Sequence, residues 1–272
     1  MAKIDKKIID ALDRCKIIVR LGVGFDNVDV AAATSRGIMV ANIPDFCTEE
    51  VSDHAVALIL MIARRILPGQ KAVREGKWGP MAIEFDSFKR VKEQTVGLYG
   101  FGRIARRVAE KAKGAKLNCM AFDPFIPKDV LSAAGVEKVE FKDLLARSDY
   151  VSLHTPLTKE TENSFGMDQF RAMKKTAWLI NTSRGQVIKE DELIAALDQK
   201  LIAGAALDVL AKEPPDKNHP LLNRDNVIVT PHMGSWTLDS RNDLQTKGAE
   251  EVVRVFKGEE GKKLVNPEVL SK

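Results

Sequence analysis

Interconverting a carbonyl and an alcohol needs a proton donor and acceptor that works near neutral pH. It also needs a group that keeps that donor charged and a cation for an acidic substrate. The sequence holds one candidate of each type just past a short apolar run: Arg184 in Ile-Asn-Thr-Ser-Arg-Gly, Glu213 in Lys-Glu-Pro-Pro and His232 in Thr-Pro-His-Met-Gly. Histidine has an unperturbed pKa of about 6.5. A neighbouring carboxylate favours its imidazolium form, and arginine grips a carboxylate through two parallel N–H donors. Position alone leaves open that each is a solvated surface charge. Of the four histidines, His54 lies in a strongly apolar helical stretch and reads as core or interface. His219 falls in a polar, proline-flanked loop, and His154 ends a strand in His-Thr-Pro-Leu-Thr, at a cofactor-rim position.

A second constellation has the chemistry of a dinucleotide site. Gly100-Phe101-Gly102-Arg103-Ile104-Ala105 fits GxGxx(G/A), follows the strand-like Thr-Val-Gly-Leu-Tyr and opens a helical stretch; a second strand then ends in Asp123. Gly100 permits the tight turn, and Gly102 lets backbone approach a pyrophosphate at a helix N-terminus, where free N–H groups favour an anion. Ala105 is small enough for close helix–strand packing. Asp123 can accept both ribose hydroxyls and would repel a 2′-phosphate. No arginine follows in Pro124-Phe125-Ile126, so NAD is favoured over NADP. A glycine turn without a ligand is the other reading of this motif.

The elements that must position these residues follow an alternating pattern. Short β-branched runs at 16–19, 38–41, 95–99, 117–122, 150–153, 177–180, 203–207 and 227–229 read as strands. Most are apolar on both faces, as buried parallel strands are. Helical stripes lie between them, such as Ile104, Ala105, Val108, Ala109 and Ala112, or Leu193, Ile194 and Leu197. The N-terminal region reads as helix at 6–14, strand, helix at 30–36, strand. A long apolar helix spans 49–65, an irregular arm 76–92, and a final helix 239–257. The class is α/β with a doubly wound parallel sheet, a Rossmann arrangement.

Composition narrows the remaining choices. The 272 residues carry a net charge of +4, without a basic block, which excludes a dedicated nucleic-acid surface. Three scattered cysteines, Cys15, Cys47 and Cys119, show no metal spacing and read as free thiols in a reducing compartment. No metal is expected. The first ten residues are charged, and the apolar run at 55–63 is too short for a bilayer span. A cytoplasmic protein without a membrane partner is the expectation.

Taken together, the runs Gly-Phe-Gly-Arg-Ile-Ala, Phe-Asp-Pro-Phe, His-Thr-Pro-Leu-Thr, Asn-Thr-Ser-Arg-Gly, Gly-Ala-Ala-Leu-Asp-Val, Glu-Pro-Pro and Thr-Pro-His resemble the D-isomer-specific 2-hydroxyacid dehydrogenases. That family includes phosphoglycerate dehydrogenases and the C-terminal-binding-protein corepressors. The stretch from Ile17 to Asp29 is most similar to the corepressors and to bacterial dehydrogenases resembling them. The resemblance implies NAD-linked hydride transfer at C2 of a small 2-hydroxy or 2-oxo acid. It implies that Arg184 binds substrate, that His232 is the acid/base and that Glu213 is its partner. Cofactor contacts are implied at Gly100, Gly102, Arg103, Ile104, Asp123, Thr155, Pro156, Thr182, Asp208 and Gly234. Backbone around Gly22, Val23 and Gly24 would hold the substrate carboxylate. The implied domains are a Rossmann domain at 46–239 and a smaller flavodoxin-like substrate domain, partial and discontinuous, at 1–45 and 240–272. The resemblance also assigns 49–65 and the arm, with Ile83, Phe85 and Phe88, to a two-fold homodimer.

Two departures qualify the match. An ungapped alignment puts Ser235, not Trp236, where the corepressor-like members carry a tryptophan. Family members also have a strand, helix and strand ahead of the first helix found here. The expectation is therefore an N-terminally truncated substrate domain, an exposed edge at Ile17–Ile18–Val19 and weak turnover. An NAD(H)-responsive, corepressor-like binding protein and an inactive short form are the competing readings.

Overall fold

The computed structural model describes residues 2–84 and 88–271. In chain order the elements are α1 (Lys6–Asp10), β1 (Ile17–Arg20), α2 (Val30–Ser35), β2 (Met39–Asn42), α3 (Thr48–Ala63), α4 (Ile66–Arg74), β3 (Thr95–Tyr99), α5 (Arg103–Gly114), β4 (Asn118–Phe122), α6 (Lys128–Ala133), β5 (Glu137–Lys138), α7 (Phe141–Arg147), β6 (Tyr150–Leu153), α8 (Met167–Ala172), β7 (Trp178–Asn181), α9 (Glu190–Asp198), β8 (Gly204–Leu207), β9 (Val227–Val229) and α10 (Leu238–Phe256). They divide into two compact units, Met1–Cys47 with Trp236–Lys272, and Thr48–Ser235.

The larger unit is built on a seven-stranded parallel sheet ordered β5-β4-β3-β6-β7-β8-β9. The chain winds outward one way from β3 and the other way from β6. The switch point between those two strands is where open α/β sheets take their ligands, beyond the strand C-termini. Strands β6 and β8 are wholly buried, which is why their sequences are apolar without alternation. One face is covered by α3, α5 and α6 through Ile59, Val108 and Leu131, the other by α7, α8 and α9 through Leu144, Phe170 and Leu193. Burying each such side chain contributes about 1.5–3 kcal/mol.

In the smaller unit β1 pairs in parallel with β2 from Ile17↔Met39 to Arg20↔Asn42. That is two strands, where a whole flavodoxin-like sheet has five. Asp5 and Asp29 cap α1 and α2 by accepting the N–H groups of Ile8 and Ala32. Buried Asn266 ties the C-terminal segment to this sheet, accepting from Val40 N at 2.7 Å and donating to Ile38 O at 3.0 Å. Among the described residues β1 pairs with β2 alone, and Ile17, Ile18 and Val19 are half-buried.

Some elements differ from the sequence reading. The first helix stops at Asp10 rather than 14, because Ala11 and Leu12 N–H groups bond three residues back and close a tight final turn. The helix expected to 65 ends at Ala63; Arg65, left-handed at φ 52°, breaks it from α4. The two-residue strand β5 is too short to carry a period and was not expected. In the arm, Ile83 and Phe88 are half-buried, whereas Trp78 and Met81, not singled out by sequence, are 85% and 94% exposed. Phe85 lies outside the described residues. No helix among the described residues is long and apolar enough to cross a membrane.

Candidate active site

Arg184, Glu213 and His232 lie on the loops that follow β7, β8 and β9, three neighbours in the sheet. Buried Asn181 shapes the first loop. Its Oδ1 accepts from Ser183 N (2.9 Å) and Ser183 Oγ (2.8 Å), and its Nδ2 donates to Arg184 O (2.8 Å). Gly185 then lets two loops touch: a Cβ there would stand 2.0 Å from the carbonyl carbon of Leu210. Only glycine brings the Arg184 turn this close to the Glu213 loop.

Glu213 Oε1 accepts from Leu210 N at 3.1 Å, and its Oε2 lies 2.7 Å from His232 Nδ1. Burial pushes the Glu213 carboxyl up. The His232 hydrogen bond and charge, the Leu210 N–H and the charge of Arg184 outweigh that and hold it below the ordinary glutamate value. Glu213 is thus held as a carboxylate beside the His232 ring. The same loop is braced by α9: Glu190 accepts from Ala211 N at 3.0 Å and from His219 Nε2 at 3.0 Å. His219 lies in the loop expected for it and is a structural partner of Glu190.

Asp208, expected as a cofactor contact, is only 3% exposed, and the protein's own donors surround its carboxylate. Oδ1 accepts from Thr230 Oγ1 (2.5 Å) and Met233 N (2.9 Å), and Oδ2 accepts from Gly234 N (2.8 Å). Burial raises its pKa, but hydrogen bonds from His54, Thr230, Met233 and Gly234 bring it below the usual aspartate value. The expected contact Gly234 thus has its N–H engaged, and a Cβ on it would meet Asp208 Oδ2 at 2.9 Å.

The glycine-rich turn fits a dinucleotide. Gly100 sits at φ 92°, and a Cβ there would stand 3.0 Å from His154 O, so the loop after β6 packs directly on it. Gly102 is the N-cap of α5 with no side-chain cap, and nothing lies within 4 Å of the Cβ it lacks. Open space therefore faces the helix N-terminus, beside exposed Arg103 and half-buried Ile104. Asp123, at the end of β4, accepts Phe101 N at 2.8 Å and Phe125 N at 2.9 Å. Sequence reasoning missed these two backbone bonds. Each oxygen keeps a second lone pair for a ribose hydroxyl. Thr155, which precedes Pro156, and Thr182 each bury a hydroxyl with no partner in the protein. Buried polar groups are nearly always satisfied, and the orphaned hydroxyl of Thr155, whose methyl lies 3.0 Å from the missing Cβ of Gly100, with that of Thr182 after β7, suits a bound nucleotide. Burial pushes His154 down to about 4, so it is neutral at physiological pH.

In the smaller unit Gly22 adopts φ 144°, and the Arg20 guanidinium fills the place where its Cβ would be. The carbonyls of Gly22 and Val23 accept from Ile43 N (3.0 Å) and Asn42 Nδ2 (2.5 Å). Among the described residues the N–H groups of Gly22, Val23 and Gly24 have no protein acceptor.

The family model for the NAD binding domain of D-isomer specific 2-hydroxyacid dehydrogenases matches residues 56–234. The chain is 40% identical to a glyoxylate reductase of Korarchaeum cryptofilum over 98% of its own length and 81% of the relative's. It is also 40% identical to a D-3-phosphoglycerate dehydrogenase of Archaeoglobus fulgidus, over 94% of this chain but 48% of that one. A crystal structure of the D-lactate dehydrogenase of Aquifex aeolicus, complexed with NAD and lactic acid, superimposes with a TM-score of 0.89 at 28% identity, covering 97% of this chain and 84% of that one.

Proposed function

Because the chain belongs to the D-isomer-specific 2-hydroxyacid dehydrogenase family, we propose that it reduces a small 2-oxo acid to the D-2-hydroxy acid, or the reverse, with His232 as the acid/base. The observation that carries the assignment is the 2.7 Å bond between His232 Nδ1 and Glu213 Oε2. It orients the ring and leaves Nε2 for the substrate oxygen. His232 donates its proton to the oxygen that becomes the hydroxyl in reduction and takes it back in oxidation. Arg184 holds the substrate carboxylate in a bidentate grip. When bound, NADH would supply the hydride to the substrate's C2 in reduction, and NAD+ would accept it in oxidation.

Gly100, Gly102, Arg103 and Ile104 take the pyrophosphate side of the nucleotide, and Asp123 its adenosine ribose. Thr155, Pro156, Thr182, Asp208 and Gly234 line the rest of its site. In the smaller unit the N–H groups of Gly22, Val23 and Gly24 bind a carboxylate. Thr48–Ser235 acts as the cofactor domain, and the smaller unit as the substrate domain. The exposed apolar residues Ile66, Leu67, Val73, Trp78 and Met81 on α4 and the arm support a homodimer, and we place the protein in the cytoplasm. Because the glyoxylate reductases are relatives that this chain covers over about four fifths of their length, while it spans about half of the phosphoglycerate dehydrogenases, glyoxylate is the substrate to try first. The test is NADH oxidation with glyoxylate, pyruvate and hydroxypyruvate. Oxidation dependent on at least one acid is expected; NADH binding without oxidation by any of them would refute the proposal.

A further inference from the structure

His54 sits on the buried side of α3, between Val51 and Leu58 one turn either way, where the surrounding pattern is apolar. A histidine in such a place needs a hydrogen-bond partner, and it has one across the sheet. Its Nε2 lies 3.1 Å from Thr230 Oγ1 and 3.5 Å from Asp208 Oδ1. The threonine hydroxyl has a single proton, and that proton goes to Asp208 at 2.5 Å. Thr230 therefore receives from His54, and the tautomer with hydrogen on Nε2 follows.

Asp208 is the hub of the turn that carries the acid/base. Its backbone oxygen accepts His232 N at 2.8 Å, and its carboxylate accepts the next two N–H groups, Met233 and Gly234. The turn needs this hold, because His232 adopts φ 55°, a left-handed conformation that residues with a side chain seldom enter. Such a conformation persists where its surroundings over-determine it.

We propose that His54 is a positioning residue: through Thr230 and Asp208 it locks the left-handed turn at His232 and so aims the imidazole, without touching substrate or cofactor itself. This rests on the reading of His232 as acid/base. A strut of this kind acts on orientation, so its loss lowers kcat; Gly100, Gly102, Arg103, Ile104 and Asp123 still hold the nucleotide, so its affinity falls less, by what is lost at Asp208 and Gly234 alone.

The test compares His54→Leu, His54→Gln, Thr230→Val, Thr230→Ser and the His54→Leu/Thr230→Val pair. One readout is amide exchange at Met233 and Gly234 in the free protein; the others are kcat, KM and NADH affinity. Leu at 54 and Val at 230 should each speed exchange at both amides and lower kcat by about tenfold or more. NADH affinity should fall by a smaller factor than kcat, since only Asp208 and Gly234 of the nucleotide's contacts lie on this turn. Gln at 54, whose amide nitrogen reaches the place of Nε2, and Ser at 230, which keeps the hydroxyl, should restore most of both. The double variant should be no worse than the more damaged single one, since both cut the same chain of bonds. Unchanged exchange in Thr230→Val, equal damage from Gln and Leu at 54, or additive losses would overturn the proposal. If His54→Leu does not fold, the Thr230 pair decides. If the wild type turns over no 2-oxo acid, the dehydrogenase reading fails, and amide exchange still judges the strut.

Discussion

His232 Nδ1 and Glu213 Oε2 meet at 2.7 Å although 19 residues separate them and each arrives on a different loop. The pair forms because β8 and β9 are adjacent parallel strands and end on the same edge of the sheet. The substitution His232→Ala should lower kcat by ~10²–10⁴-fold, the usual loss on removing a general acid, while NADH still binds. Glu213→Gln should lower it less, since the ring stays but loses the carboxylate that orients it through Nδ1. Steady-state kinetics beside fluorescence titration of NADH would measure both.

Arg184 is set by the buried Asn181 turn and by Gly185, so its guanidinium has a defined origin. Replacing it with alanine should raise KM for the oxo acid strongly. Lysine should recover only part of the loss, because a point charge cannot reproduce the two-pronged grip. A lysine variant with wild-type KM would argue that Arg184 does not bind a carboxylate.

Asp123 should make NADH bind far more tightly than NADPH, since its carboxylate faces a 2′-phosphate with like charge. Asp123→Ser should narrow that ratio, and some stability should go with it, because Asp123 also holds Phe101 N and Phe125 N. Paired fluorescence titrations would show it; equal affinity of the wild type for both nucleotides would remove the assignment.

The sheet, its strand ends and the place of Arg184, Glu213 and His232 beyond them were legible because each signal was local: an apolar run, a glycine motif, a charged residue just past a strand. What local pattern could not give was pairing across the sequence. His54 read as core because its own helix is apolar; its partners Thr230 and Asp208 lie more than 150 residues away. His219 read as loop because its partner Glu190 stands on α9. Asp123 was read as free for a ribose, though backbone N–H groups already share it. Gly185 carried a faint signal, a glycine directly after the key arginine, which only the close approach of Leu210 explains.

His154 predicts a pH dependence of stability. Burial lowers its folded-state value from 6.5 to about 4, so the unfolded chain takes up the proton first as pH falls. The contribution of the neutral ring is complete above about pH 6.5 and is lost progressively down to about 4. At 1.36 kcal/mol per unit, moving from pH 7 to pH 5 should cost about 2 kcal/mol. Urea unfolding at the two values should show that loss in the wild type and a smaller one in His154→Asn. Asp208, held below its usual value, adds its loss only at still lower pH.

The exposed face of α4 and the arm predicts assembly. With Trp78 and Met81 85% and 94% exposed, light scattering should give a dimer at micromolar concentration. Trp78→Glu with Met81→Glu should shift it to monomer and leave NADH binding intact. A wild type that is monomeric throughout would rule out this surface as a dimer contact.

The most direct test of the central claim is to follow the hydride itself. NADH carrying deuterium at C4 of the nicotinamide, on whichever face is transferred, should be incubated with glyoxylate, pyruvate or hydroxypyruvate and the product analysed by mass and by chirality. The account predicts deuterium at C2 of the 2-hydroxy acid, the D configuration where C2 is a stereocentre, and loss of the transfer in His232→Ala. Label that stays on the nucleotide with every acid, or a product formed equally well without His232, would contradict it.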